Sequence, residues 1–222
     1  MKLKKSTRLL IACDGGAASG KTTAAKLLSR KYNLDFLSSG LLYRYISYKL
    51  LNNKYNKRKY LKKITKNISL NKLKSKKLFD QNVTLYASKI AKSKFIRILL
   101  KKFQKNFAKQ NHVCIEGRDI GSVICPKADI KLFFKCSLKI RAKRRWAEYR
   151  KSNSKITLNE VEKALKTRDY SDINRKHSPL RASKDSIVID TSKLSKKQML
   201  SKISKIVEEK LKLKYGRNYK RR

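Results

Sequence analysis

Lys21 and Thr22 close the run Gly15-Gly16-Ala17-Ala18-Ser19-Gly20-Lys21-Thr22, and the spacing G-x-x-x-x-G-K-[ST] has a definite chemistry, the cradling of phosphate. Small side chains let successive backbone N–H groups turn inward around an anion. Lys21 then reaches the β and γ oxygens of a nucleoside triphosphate, and the Thr22 hydroxyl suits Mg²⁺. The apolar run Leu9-Leu10-Ile11-Ala12-Cys13 precedes the loop, and beyond Thr23 the residues Ala24, Ala25, Leu27 and Leu28 have helical spacing. A helix placed there points its positive end at the same anion. Without that context a Gly/Ala/Ser-rich stretch reads as a plain turn; strand, loop, helix and the Lys-Thr pair together imply triphosphate binding.

Three further segments carry convergent charge. They are Ser38-Ser39-Gly40-Leu41-Leu42-Tyr43-Arg44, Glu116-Gly117-Arg118-Asp119-Ile120-Gly121 and Arg168-Asp169-Tyr170-Ser171-Asp172-Ile173-Asn174-Arg175. Planar guanidinium forks suit phosphate oxygens and neutralise charge that spreads as a phosphoryl group moves. Asp119 and Asp172 have a plainer alternative, structural ion pairs with the arginines nearby.

The elements that must hold these residues are legible as alternation. Apolar runs at Leu9–Cys13, Asp35–Leu37, Val113–Ile115, Ile130–Phe134 and Ile187–Ile189 recur between helical stretches. Five such strands predict an α/β fold with a parallel sheet flanked by helices. In a doubly wound sheet the strand ends gather at one crevice, which would bring the arginines together. Thr157-x-x-Glu160 and Ser195-x-x-Gln198 are capping boxes, the second ahead of Met199, Leu200, Ile203, Ile206, Val207 and Leu211 at helical spacing. Val83, Ala87, Ile90, Ala91, Phe95, Ile98 and Leu99 predict one long helix running towards Phe107. Residues 52–84 are lysine-rich with scattered apolar side chains and read as an insertion with little core of its own. Residues 139–156 form an arginine-studded helix and loop suited to a lid, or else a solvated basic face.

Composition bounds the rest. A chain of 222 residues with 40% hydrophobic content supports a single domain, 1–222, carrying that insertion and lid. Lys and Arg number 60 against 15 Asp and Glu, a formal net charge of +45, which raises nucleic-acid binding as a rival class. The basic residues are spread along the whole chain, so a lysine-coated surface is favoured over a specific nucleic-acid footprint. The basic cluster from Lys214 to Arg222 reads as a frayed, solvated end. The apolar stretch before Cys13 is too short for a signal core, and no segment approaches a membrane span, so a soluble cytoplasmic protein is expected. Cys13, Cys114, Cys125 and Cys136 form no C-x-x-C pair and read as small core residues of a reducing compartment.

In their order and over nearly the whole length, these motifs resemble bacterial cytidylate kinases, a family of nucleoside monophosphate kinases. The matching pieces are Asp14-Gly15, the loop through Thr22, Ser39-Gly40 with Tyr43-Arg44, Gly117-Arg118-Asp119-Ile120-Gly121, Ser178-Pro179-Leu180 and Ile187-Val188-Ile189-Asp190-Thr191. The resemblance implies a three-layer P-loop kinase fold and ATP-dependent, Mg²⁺-assisted phosphorylation of CMP or dCMP by a monomer. It implies that Gly15 to Thr23 bind ATP, and that Lys21, Arg44, Arg118 and Arg175 act on the transferring and accepting phosphates. Ser39, Ser88, Arg97 and Asp119 would read cytosine, with Arg168 and Asp172 at the sugar. Gly16 stands where the family usually has proline, Glu116 where it has aspartate, and Ser171 where a basic residue is common. The insertion is also shorter than in better-known relatives, which implies a trimmed antiparallel sheet. Asp14 is expected near the reacting phosphates, either beside the metal's waters or in a structural bond. A kinase of the same fold acting on UMP or AMP, or a basic nucleic-acid-binding protein with a retained nucleotide site, are the alternatives.

Overall fold

Residues 3–53, 58–150, 155–216 and 219–220 are described by a computed structural model. The chain packs as two compact units, Met1–Phe36 with Gln110–Arg222, and Leu37–Lys109.

The first unit is built on a five-stranded sheet of β1 (Leu9–Gly15), β2 (Asp35–Ser38), β3 (His112–Gly117), β4 (Ile130–Lys135) and β5 (Ile187–Asp190), in the order β2-β3-β1-β4-β5. β1 runs parallel to both β3 and β4, with Asp14 opposite Gly117 on one side and Phe133 on the other. β4 and β5 are also parallel. Each strand begins at or one residue before the start of its apolar run and extends one or two residues beyond it. Those extensions carry Asp14, Gly15, Glu116 and Gly117 to the strand ends. Alternate β1 residues Leu9, Ile11 and Cys13 pack in one cluster with Ala24, Ala25 and Leu28 of α1 (Lys21–Tyr32) and with Met199, Ile203 and Val207 of α8 (Lys196–Tyr215). Both capping boxes form, at Ser195 for α8 and at Thr157 for α7 (Leu158–Asn174). A smaller cluster joins Ala17 of the glycine-rich loop to Ala142 of α6 (Leu138–Arg150) and to Val161 and Leu165 of α7.

The four cysteines are free, with Cys13 and Cys114 touching in the core at Sγ–Sγ 3.9 Å. The chain end departs from the frayed tail expected of it. Tyr219 is buried, its carbonyl accepts from the Lys4 amide at 3.1 Å, and the Tyr215 hydroxyl donates to the Arg8 carbonyl at 2.9 Å. An aromatic pair thus anchors a run that charge alone made look solvated; Arg217, Asn218, Arg221 and Arg222 of that cluster lie outside the described residues.

The second unit is helical among its described residues: α2 (Ser39–Leu51), α3 (Arg58–Lys66), two short 3₁₀ turns, α4 (Gln81–Ile90) and α5 (Lys94–Phe107). Among the described residues of the insertion no strand forms, where a small antiparallel sheet was implied. The insertion also contributes more core than its composition suggested, since Leu61, Ile64, Ile68, Leu73 and Leu78 are all buried. The single long helix expected over 83–107 is two. Asp80 caps α4 through the Val83 amide, and Ser93 caps α5 through the Ile96 amide, so the chain turns at 91–93. The turn resets the phase: Ile96 and Leu100 are buried, whereas Ile98 is exposed. Of the insertion 52–84 and the lid 139–156, residues 54–57 and 151–154 lie outside the described residues.

Candidate active site

The phosphate loop forms between β1 and α1 with the backbone that its residue types permit. Gly15 has φ +153°, and a Cβ there would stand 2.5 Å from the Phe134 carbonyl oxygen, so only glycine lets β1 end against β4 at this point. Ala18 takes φ +56° and Gly20 +84°, left-handed conformations that curl the loop. A non-glycine residue held there costs about 1 kcal/mol, a strain typical of ligand clamps.

Lys21 lies at the first turn of α1, buried, with Nζ donating to the Gly16 carbonyl at 3.0 Å and standing 3.8 Å from Glu116 Oε2. Burial, followed by the positive field of Arg118, lowers its pKa to about 7, against a smaller opposing pull from Glu116. An arriving polyanion would reverse that shift, because opposite charge favours the ammonium. The extra methylene of Glu116 therefore leaves its carboxylate within electrostatic reach of the loop lysine.

Arg118, Arg168 and Arg175 converge on one carboxylate. Arg118 Nε donates to Asp172 Oδ2 at 2.9 Å, Arg168 Nε stands 4.0 Å from the same oxygen, and Arg175 Nη1 stands 3.5 Å from Oδ1. Burial works against ionisation of Asp172, yet the three guanidiniums outweigh it and hold its carboxyl below the usual range. Arg175 also reaches Asp119 at 3.9 Å and donates through Nε to the Ser178 carbonyl at 2.6 Å. Both aspartates therefore take part in the ion pairs weighed for them from sequence. Lys21 feels the fields of Arg118, Arg168 and Asp172, so this cluster and the phosphate loop share one electrostatic environment.

Asp14 is engaged by backbone. Its Oδ1 accepts from the Ile120 amide at 2.8 Å and its Oδ2 from the Gly121 amide at 2.7 Å, which places its carboxylate in a structural bond.

Sequence reasoning missed several residues that shape the loop. Arg141 of α6 is buried, pairs with Asp169 at 2.6 Å, and donates to the carbonyls of Cys136 at 3.0 Å and Ala17 at 3.3 Å. A Cβ on Gly16 would lie 3.1 Å from Arg141 Nη1, so the glycine at this position gives that guanidinium room. Arg144 donates to the Thr191 carbonyl at 2.7 Å, and the Thr191 hydroxyl donates to the Ser19 carbonyl at 2.9 Å. Their signal was Arg141 and Arg144 three apart on one helix, legible as a shared face but not as a grip on carbonyls.

The remaining candidates lie in the second unit. The Ser39 hydroxyl accepts from Gln104 Nε2 at 2.6 Å, and the Arg97 guanidinium lies 5.8 Å from the centre of the Tyr43 ring while donating to the Ala91 carbonyl at 3.1 Å. These contacts tie α2 to α5 at two points. Arg44 lies over Phe79 at 5.2 Å, and Ser88 is half-buried on α4. Gln104 escaped notice in the sequence, although Ile96, Leu100, Gln104 and Phe107 share one helical face and the glutamine is its polar interruption.

No described helix is long and apolar enough to cross a membrane. Residues 11–209 match the family model for cytidylate kinase. Among similar relatives, the cytidylate kinase of Fusobacterium nucleatum is 36% identical over 213 residues, covering 90% of this chain and 98% of the relative. That of Clostridium tetani is 36% identical, covering 90% and 94%. An uncharacterized protein from Eubacterium ventriosum has a crystal structure with TM-score 0.55 at 16% identity, covering 91% of this chain and 99% of its own. TT1252 from Thermus thermophilus has TM-score 0.51 at 18% identity, covering 93% and 99%. At such identities the two structures speak for the fold.

Proposed function

We propose, on the premise that the chain belongs to the cytidylate kinase family, that it transfers the γ-phosphoryl group of ATP to CMP or dCMP, releasing ADP with CDP or dCDP. The observation that carries this reading is the convergence of Arg118, Arg168 and Arg175 on Asp172 within the electrostatic reach of Lys21.

Loop amides from Gly15 to Thr23 and the Lys21 ammonium bind the ATP phosphates. Arg44, Arg118 and Arg175 hold the phosphate of CMP and, with Lys21, neutralise charge on the moving group. Because Asp172 orients the cluster beforehand, little reorganisation remains when phosphate arrives. Asp119 accepts from the exocyclic amine of cytosine and Arg97 donates to its ring acceptors, with Ser39 and Ser88 completing the set. Uracil would leave Asp119 facing a carbonyl, which is how selectivity arises. Arg168 and Asp172 contact the sugar hydroxyls.

The donor set around the loop fits Mg²⁺. Thr22 and Glu116 offer hard oxygens, and the described residues contain no cluster of three or more ligating side chains. An ion whose shell is mostly phosphate and water oxygen requires no such cluster. Thr22 would hold the ion, whose positive charge would offset the negative charge of the ATP phosphates. Residues 139–156 serve as the lid, supported by the grip of Arg141 and Arg144 around the loop, and 52–84 as the monophosphate-binding insertion within one kinase domain. Closure would exclude water from the transferring group. The same reading makes the protein a cytoplasmic monomer; size-exclusion chromatography tests the oligomeric state.

ADP release measured with ATP·Mg²⁺ and each monophosphate in turn is the test. CMP and dCMP should drive turnover well above UMP and AMP. Equal rates with UMP or AMP would overturn the cytosine-reading set.

A further inference from the structure

The first amides of a helical turn have no partner within it and must find an acceptor elsewhere. In the Gly117-Arg118-Asp119-Ile120-Gly121 segment the chain passes from β3 into a π-helical turn over Ile120–Ile124. The acceptor for the first two amides comes from another strand. Asp14, at the end of β1, accepts from Ile120 N–H at 2.8 Å and from Gly121 N–H at 2.7 Å, one to each carboxylate oxygen. The side chain is buried.

Gly121 is shaped for this contact. A Cβ there would meet the Lys131 side chain at 3.2 Å and Asp14 Oδ2 at 3.4 Å, so the residue is pinched between a lysine stem and the carboxylate it serves. Lys131 is in turn held by Asp185 at 2.6 Å. Asp14 also sits immediately before Gly15, so one residue joins the start of the phosphate loop to the segment that presents Arg118 and Asp119.

We propose that Asp14 is a positioning residue: by latching the Ile120 and Gly121 amides it sets the register of Arg118 and Asp119 against the phosphate loop, and so aligns acceptor with donor. This rests on the assignment of Arg118 and Asp119 to the acceptor nucleotide. It differs from a role beside the metal's waters, since each oxygen of the carboxylate is bonded to a backbone amide.

Asp14→Asn is close to isosteric and replaces one acceptor with an N–H₂ group facing an amide donor. In steady-state assays with purified protein, kcat/KM for CMP should fall about 10- to 100-fold, as expected when positioning is lost. The KM for ATP should stay within about twofold, because the loop amides that bind ATP are untouched, and preference for CMP over UMP should shrink as Asp119 loosens. Hydrogen exchange at the Ile120 and Gly121 amides should accelerate in the variant. A shift in the Mg²⁺ requirement with CMP kinetics intact would overturn the latch in favour of a metal role, and unaltered CMP kinetics would overturn it outright. Should Asp14→Asn fail to fold, Gly121→Ala perturbs the same contact from the other side and should give the same split, with a smaller loss; an unaffected Gly121→Ala then sinks the proposal. If the wild-type protein shows no CMP-dependent turnover while exchange at the two amides still depends on Asp14, the assignment of the acceptor has failed and the latch has not.

Discussion

In the sheet-based unit, Arg118, Arg168 and Arg175 gather around the carboxylate of Asp172, whereas in the helical unit Arg44, Arg58 and Arg97 lie over the rings of Phe79, Phe95 and Tyr43. The difference follows from composition. Between Leu37 and Lys109 the chain has a single acidic residue, Asp80, and its side chain caps α4. Carboxylates are scarce there, so aromatic faces order the guanidiniums. A carboxylate fixes an arginine by directed charge-assisted bonds; a ring holds its face and leaves in-plane orientation to hydrogen bonds such as that from Arg97 to Ala91.

Breaking the carboxylate-held set should have the larger consequences. Arg118→Ala should lower kcat about 1000-fold, the low end for an arginine that stabilises transferring phosphate, with the melting transition preserved; coupled ADP release and circular dichroism check both. Asp172→Asn leaves three guanidiniums with no shared anion. It should cost about 3 kcal/mol of stability in chemical denaturation, and CMP should restore more stability to the variant than it adds to wild type.

Asp14 gives a pH-dependent contrast. Burial raises its pKa from 3.8 to about 6, against the opposing pull of the two amides. Between those values the folded state binds more protons at Asp14 than the unfolded state. Its contribution is therefore fully present below about pH 4 and is lost as pH rises through about 6, a change of about 3 kcal/mol. Denaturation of wild type and Asp14→Asn at pH 4 and pH 7 should show the difference between them shifting towards wild type at the lower pH. Removing a ring from the helical unit should have the mildest effect. Phe79→Leu takes the aromatic face from Arg44 and should raise the KM for CMP about threefold with kcat unchanged, in line with a cation–π contact of about 0.5–1 kcal/mol.

Legibility in the sequence divides along a physical line. β1, α1 and the loop between them are contiguous, so residue type and spacing sufficed to place Gly15 to Thr22 and the helix that follows. The two capping boxes were equally plain, because each closes over four residues. The break between α4 and α5 was missed although Ser93 announces it, since apolar spacing on both sides can be drawn as one stripe. Asp172 could be named as a site residue from its motif, and Arg168 and Arg175 lie four residues before it and three after it, a helical spacing that the sequence shows. Its third partner, Arg118, is brought to it by the end of β3, and no local pattern states that meeting.

What the sequence by itself determined is the set of chemical parts: a phosphate loop, arginines on two recurring elements, and five strands to carry them. Local rules of period, capping and backbone freedom act within a few residues and leave their trace in the string of letters. Tertiary structure alone decided which residues from distant parts of the chain meet. It brought Arg118 to Asp172, bent Asp14 onto two amides of another segment, lowered the pKa of Lys21 by burial, and seated Tyr219 in a core that its basic neighbours concealed. Those outcomes depend on distance and desolvation between residues far apart in the chain, and such quantities exist only once the backbone has closed around them.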